Sequence, residues 1–207
     1  MRKEFKDLTA EQQKNYEAQM KKFGLSPRSE AVYDHARLVA AKRGKAGPVV
    51  LSSDEAKSHV KPNYITINSL DEIKSLIGVA DNAFESGQRS EAIFDLPPPL
   101  PKGKKRKAQA QLTEEERQTI NRAAEHYIFG HSKRTRSYKT AFESLRMPMR
   151  VAAFASENIT VTKDRPYRIT GPDPVVLTAG VITMEAGSEI IVETEAHITA
   201  QLLQDGS

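Results

Sequence analysis

A regular rhythm of apolar residue pairs in the C-terminal quarter constrains this chain more than any other feature. The first members of successive pairs are spaced by 8, 8, 7, 8 and 8 residues, and the two members of each pair lie two residues apart. Residues two apart point to the same face of a β-strand. Proline or glycine, as at Pro166 and Gly180, falls between pairs where turns belong. The rhythm predicts six short strands, at Ile159/Val161, Tyr167/Ile169, Val175/Leu177, Ile182/Met184, Ile190/Val192 and Ile198/Ala200.

This spacing fits a meander, a small sandwich or a short β-solenoid. A β unit as small as residues 151–207 buries only about 60% of the surface that its unfolded chain exposes. A solenoid of so few coils would also leave its ends open. We therefore expect the β unit to need cover from another element or from a second copy of the chain.

The last predicted strand has the clearest alternation. Small or apolar residues alternate there with Glu193, Glu195 and His197. We interpret those three polar residues as a solvated face and predict no metal site, because a catalytic zinc or iron site would require a second suitably spaced histidine. The opposite row is the predicted core or self-association face, comprising Val192, Thr194, Ala196, Ile198, Ala200 and Leu202.

The rest of the chain predicts mainly helices. The sequences at 9–12, 69–72 and 113–116 match the capping box, in which a Ser or Thr and a Glu or Gln three residues later satisfy free N–H groups. The apolar stripes that follow are thin, and short strands are expected at 49–51 and 64–67. The predicted fold class is α+β, with a helical, loosely packed N-terminal region followed by a small all-β C-terminal domain.

Composition predicts the domain boundaries. The segment 95–111 combines four prolines with a run of lysines, so we expect an extended linker there. The predicted divisions are 1–94, a mainly helical region with short strands; 95–111, the linker; 112–146, a helix with a basic segment; and 147–207, a compact acidic β domain. Residues 151–207 carry three basic and eight acidic residues although the whole chain has a net charge of +4. The rest of the chain is therefore strongly basic.

Two basic runs are candidates for contacts to phosphate groups, since clustered Lys and Arg bind nucleic acid or other anionic surfaces. The first run lies within the predicted linker and the second follows the third capped helix. Their members are Lys102, Lys104, Lys105, Arg106, Lys107, Lys133, Arg134, Arg136 and Lys139.

Several classes of chemistry find no support in the sequence. The absence of cysteine excludes thiolate zinc sites, iron–sulfur clusters and cysteine nucleophiles. There is no phosphate-binding glycine loop and no Gly-x-Ser-x-Gly motif, so we lean against an enzyme and predict no cofactor. No apolar run approaches the roughly 20 residues of a membrane-spanning helix. The charged start predicts a cytoplasmic protein, with export by a non-classical route as an alternative.

The leading hypothesis is a non-enzymatic assembly or partner-binding protein. It would form a homo-oligomer through the C-terminal β domain and use the N-terminal helices as arms. One alternative is a protein that binds nucleic acid or an anionic surface through the two basic runs. Another is an effector or toxin exported without a signal.

Overall fold

The computed structural model of this chain describes residues 2–41, 47–89 and 112–206. These residues form six α-helices and seven β-strands. The helices are α1 (Ala10–Lys22), α2 (His35–Ala41), α3 (Leu70–Ile77), α4 (Asp81–Glu85), α5 (Glu114–Phe129) and α6 (Lys139–Arg146). The strands are β1 (Val49–Ser52), β2 (Asn63–Ile67), β3 (Met149–Val161), β4 (Tyr167–Thr170), β5 (Val175–Met184), β6 (Ile190–Val192) and β7 (Ala196–Asp205).

The chain divides into two compact units. The first combines Met1–Ile65 with Arg150–Ser207, and the second is Thr66–Met149. Within the described residues there are two sheets, with strand orders β1-β4-β6 and β2-β3-β5-β7. The predicted fold class is therefore wrong in its division into a helical N-terminal region and an all-β C-terminal domain. Strands β1 and β2, from the first half of the chain, lie beside β4 and β3 at one end of each sheet. They give β4 and β3 a second hydrogen-bonding neighbour, which a buried strand requires.

The C-terminal strands wind as successive coils. Ala152 of β3 pairs in parallel with Val175 of β5, which pairs in parallel with Ala196 of β7. In the other sheet, Tyr167 of β4 pairs in parallel with Ile190 of β6. Because the chain passes from β3 through β4 to β5, and from β5 through β6 to β7, each circuit lies directly on the one before. An antiparallel meander is thus excluded.

The long strands bend near their middles. In β3 the core-facing residues are Ala152 and Phe154 before residue 157 but Ile159 and Val161 after it. The change from even to odd numbers means that the strand turns a corner, since an unbent strand keeps one parity on each face. In β5 the parity also changes around Gly180, from the odd-numbered Val175 and Leu177 to the even-numbered Ile182. The predicted strands at Val175/Leu177 and Ile182/Met184 are therefore two halves of one bent strand.

Gly180 allows the N-terminal segment to pack against this corner. A Cβ atom at Gly180 would lie 2.3 Å from Cδ2 of Phe5 and 2.6 Å from the carbonyl oxygen of Glu157. The Phe5 ring packs edge-on against Tyr16 of α1, with 4.9 Å between ring centroids. The Phe5 N–H donates to Oδ1 of Asn158 at 2.7 Å. Glycine at 180 thus marks a close approach and not the end of a strand.

The second unit is held by helix caps and a mostly buried lysine. The capping boxes predicted at Thr9 in the first unit and Thr113 in the second are confirmed. Nζ of Lys74 donates to the carbonyl oxygens of Tyr127 and Gly130 at 2.8 and 2.7 Å, satisfying groups at the end of α5. Nζ also lies 3.1 Å from Oδ1 of Asp81. Burial raises the pKa of Asp81, but hydrogen bonds from Ser132 and Lys74 outweigh it and lower the value to about 2.

We expect Gly180→Ala to reduce the free energy of unfolding by about 1–3 kcal/mol, because an added methyl group overpacks a closed contact. Urea denaturation followed by circular dichroism measures this change. The Phe5 ring supplies one of the two close contacts, so Gly180→Ala combined with Phe5→Ala should cost less than the two single changes added together. Wild-type stability in Gly180→Ala would contradict this account of the corner.

Candidate functional site

The last coil, formed by β6 and β7, leaves apolar residues of the core uncovered. Leu51, Ile169 and Val192 lie side by side in β1, β4 and β6, and their exposed fractions are 0%, 0% and 48%. We define the open end as the surface formed by β6 and β7 on the side away from β4 and β5. Its apolar residues lie in register with residues that are buried in the earlier coils, and we call each such in-register set a column.

A second column repeats this pattern around the bend. Ile159 of β3 pairs with Ile182 of β5, which pairs with Leu203 of β7. Their exposed fractions are 1%, 3% and 67%. Of the three large exposed hydrophobic residues among those described, Val192 and Leu203 both lie at the open end and only Phe129 lies elsewhere. Their exposure therefore follows from their position at the end of a stack.

The backbone of β7 is also unpaired on its outer edge within the described part of the chain. The carbonyl of Glu195 accepts from the N–H of Val175 at 2.9 Å, so the backbone groups of odd-numbered residues at the start of β7 face β5. Successive residues point their backbone groups to alternate sides of a strand. The N–H and C=O groups of Ala196, Ile198 and Ala200 therefore face away from β5 and are free to bond a further strand.

The predicted self-association row lies in or beside the last coil. Ile198 and Ala200 are half-buried and pack on the core, and Ala196 is exposed at the start of β7. The hydroxyl of Thr194 donates to the carbonyl of Asp173 at 3.3 Å in the connection between β6 and β7. Leu202 pairs with Val181, next to the column that ends in Leu203.

Sequence reasoning missed Leu203 and Ile190 as members of the open end. The alternation Ile198, Ala200, Leu202 was continued through the position where β3 and β5 bend. At that bend the core-facing position changes parity in each strand, so after the even-numbered Ile198 and Ala200 the odd-numbered Leu203 takes the place equivalent to Ile182. The adjacent leucines 202 and 203 were the available signal, since one of the two must face the core side.

The two basic runs have different outcomes. Lys102, Lys104, Lys105, Arg106 and Lys107 lie outside the described residues. In the second run, Nζ of Lys133 lies 3.1 Å from Oε1 of Glu85, and Lys139 pairs with Asp71. Arg134 and Arg136 lie in two short 3-10 turns before α6. The neighbouring Tyr138 is only 3% exposed, so its ring cannot stack on a base in this conformation.

A separate cleft of about 600 Å³ lies within the first unit. Its walls come from the N-terminal segment, α1, the start of α2, β3 and β5. Asp34 caps α2 by accepting the N–H of Arg37 at 3.1 Å, which places His35 in the first turn of this helix, on the cleft wall. The cleft wall therefore includes polar side chains that the fold holds in place.

Tyr33 and His35 of that wall are both hydrogen-bonded to Tyr167, which is fully buried. Nδ1 of His35 lies 2.6 Å from the hydroxyl of Tyr167, which lies 3.3 Å from the hydroxyl of Tyr33. The imidazole also bonds the backbone carbonyl of Thr160. A neutral imidazole that donates to this carbonyl accepts at Nδ1, so the Tyr167 hydroxyl donates to His35 and accepts from Tyr33.

Burial lowers the pKa of His35 below its ordinary value of 6.5, against the opposing effects of the Thr160 carbonyl and Asp34. Burial also raises the pKa of Tyr167, so this phenol stays protonated. The network thus fits a neutral ring, because a proton on Nδ1 would turn this nitrogen from an acceptor into a donor and the Tyr167 hydroxyl would lose its acceptor.

We expect the native state to lose stability as the pH falls below 6.5. The folded pKa of His35 is lower than the unfolded one, so the unfolded chain binds this proton first. The contribution of neutral His35 to the free energy of unfolding is complete above pH 6.5 and disappears as the pH falls towards the pKa of the folded state. His197, whose pKa burial also lowers, adds a change of the same sign.

The difference in unfolding free energy between the wild type and His35→Gln isolates the contribution of His35. Urea titrations between pH 5 and pH 8 should give a steeper loss on acidification for the wild type, since glutamine accepts from Tyr167 without titrating. If the unfolding free energies of the two proteins change in parallel with pH, His35 has the same pKa in the folded and unfolded states, which contradicts the prediction.

Comparisons with known proteins identify no function for this chain. No helix in the described ranges is long and apolar enough to cross a membrane. The described histidine and acidic side chains form no group of three that could hold a metal ion. Neither a family model, nor a curated protein, nor a solved structure matches this chain.

Proposed function

We propose that this chain is an assembly protein that pairs with a second copy of itself through the open end. The observation that carries the proposal is the exposure of Val192 and Leu203 in columns whose other members are buried. Stacked repeats require a cap at each end, because the last repeat otherwise leaves its apolar face in water. A second copy is one such cap.

The shape of β7 supports a twofold arrangement. It is a ten-residue strand and contains no lysine, arginine or proline, which are common devices for preventing edge pairing. Its single acidic residue, Asp205, lies at its end. Two copies of β7 related by a twofold axis would run antiparallel, and each would offer the other the same row of free backbone groups.

The energies favour an interface that combines apolar burial with strand pairing. Full burial of one valine or leucine side chain contributes roughly 1.5–3 kcal/mol. Val192 and Leu203 are only partly exposed, so the four side chains of a twofold pair would contribute roughly 3–7 kcal/mol. The loss of free motion on association costs about 4–15 kcal/mol. Edge hydrogen bonds and the half-buried Ile190 and Ile198 must therefore contribute.

Helix α1 packs against β5 and β7 within the first unit. The side-chain amide of Gln12 in α1 donates to the carbonyl of Gln201 at 3.3 Å. This contact supports β7 from one face, and no other described strand pairs with its outer edge. The helix therefore holds the edge strand in position for pairing.

We expect the wild-type protein to be a dimer at micromolar concentration and the variants Val192→Asp and Leu203→Asp to be monomers. A carboxylate in a closed apolar interface is strongly unfavourable, whereas at these exposed positions it leaves the folded monomer intact. Sedimentation velocity measures the mass, and circular dichroism verifies the fold.

Phe129→Asp is the matched control, because Phe129 is exposed to a similar extent but lies in the second unit, at the end of α5. This variant should remain a dimer. A wild-type monomer throughout the micromolar range would exclude the proposal, as would dimers of unchanged affinity in both aspartate variants.

A further inference from the structure

The bend in β7 decides which of its backbone groups point away from β5. Before the bend, these outward groups belong to even-numbered residues such as Ile198. After it, the N–H of Gly206 donates to the carbonyl of Met184 at 2.8 Å, so even-numbered residues now face β5. The outward groups of the second half therefore belong to Leu203 and Asp205, because successive residues point to alternate sides of a strand. The outward row changes parity at the bend, just as the core-facing row does.

This change of parity favours one register for a twofold pair. With the axis at the middle of β7, the first residue of each strand meets the last residue of the other. Ala196 then lies opposite the partner's Asp205, and Ile198 lies opposite the partner's Leu203, so outward groups meet outward groups in both halves. An axis displaced towards either end shortens the paired length. The two copies of Asp205, the single acidic residue of β7, lie at opposite ends of the pair.

The short strand β6 accepts the same axis. The N–H of Glu193 donates to the carbonyl of Ile169 in β4 at 2.8 Å, so odd-numbered residues of β6 face β4. The outward groups belong to Ile190 and Val192, which lie on either side of Ile191. Strand β6 and the two halves of β7 form the three sides of the last circuit. An axis that crosses the bend of β7 therefore meets the opposite side at the middle of β6.

In this register each exposed apolar residue meets a half-buried apolar residue of the other copy. Leu203 is 67% exposed and lies beside the partner's Ile198, whereas Val192 is 48% exposed and lies beside the partner's Ile190. All four side chains lie on the core side of the last coil. Directly opposite residues of an antiparallel pair have side chains in contact. The register that pairs the backbone thus also covers the apolar residues.

We propose that the open end is a self-complementary site that each copy completes for the other. The partner's β7 pairs along the whole strand around an axis between Ala200 and Gln201, and the partner's β6 pairs around Ile191. This inference rests on the proposed function and specifies which residues the second copy contributes. The two sheets of each copy become continuous with those of the partner. The last coil then has no unpaired edge, so a third copy has no strand to join.

The variant Ile191→Cys tests the axis, because the native chain has no cysteine and a disulfide can join only introduced thiols. The backbone of Ile191 faces β4, so its pair across the axis has no hydrogen bonds. The Cα atoms of such a pair lie about 4.5 Å apart, within the roughly 4.4–6.8 Å that a disulfide spans. We expect mild oxidation with copper phenanthroline to convert most of this variant into a disulfide-linked dimer on a non-reducing gel.

Arg168→Cys is the matched control. Arg168 pairs in register with Ile191 and lies on the same face of the sheet, one strand further from the axis. Its two copies would be three strand spacings apart, roughly 14 Å, which is too far for a disulfide. This variant should stay unlinked under the same oxidation.

A second pair of variants tests the register of β7. Thr199 lies opposite the partner's Leu202, and both residues point their backbone groups to β5. Thr199→Cys and Leu202→Cys should each remain unlinked when oxidised alone. An equal mixture of the two should form a disulfide-linked dimer that mass spectrometry identifies as one chain of each variant.

Sedimentation velocity of the wild type separates this inference from the proposed function. A wild-type monomer throughout the micromolar range would exclude both. A wild-type dimer in which Ile191→Cys stays unlinked, or in which Thr199→Cys links to itself, would overturn the register and leave the dimer standing. Circular dichroism under reducing conditions verifies that each variant is folded.

Discussion

In a stack of parallel coils, each core residue is covered by the residue at the same position of the next coil. This constraint explains why Phe154 and Leu177 are buried, because β3 and β5 each have a neighbouring strand on both sides. It explains equally why Val192 and Leu203 are exposed, since β6 and β7 end their sheets. The same geometry that builds the core of the first unit thus creates its uncovered surface.

The start of the stack is closed by the first half of the chain. Strand β1 lies beside β4, and its residues Val49 and Leu51 are 2% and 0% exposed. Leu38 and Val39 of α2 pack on the same core cluster. The two ends of the stack therefore differ. A closed first end and an open last end limit pairing through the stack to one interface per copy, so the geometry favours a dimer over an extended filament.

Much of this arrangement is encoded in local sequence patterns. The pairs at Tyr167/Ile169 and Ile190/Val192 predict strands that the structure contains, because alternation over a few residues reports which face is buried. The capping box at Thr113 predicts the start of α5 for the same reason, since its hydrogen bonds join residues only three apart. Contacts between neighbours in sequence are readable from sequence.

Long-range features are different. Nothing local indicates that Val49 pairs with Tyr167, or that Gly180 permits a packed ring and not a turn. The assignment of Leu203 depends on the bend in β3 and β5, which becomes visible only when the core-facing residues of neighbouring coils are aligned. The cleft is likewise not predictable from local sequence, because its charged residues Arg2 and Glu157 are far apart in the chain and line one cleft only in the folded unit.

The N-terminal segment unites these long-range features, because it crosses three successive strands of one sheet. Arg2 bonds Thr160 in β3, Phe5 covers Gly180 in β5, and the backbone of Lys3 exchanges two hydrogen bonds with the side chain of Gln204 in β7. A segment that bonds each coil in turn resists their separation, as a further strand would. It also brings Arg2 and Lys3 to the cleft while it holds the edge strand of the open end. One short segment therefore contributes to the stability of the coils, to the charge of the cleft and to the position of β7.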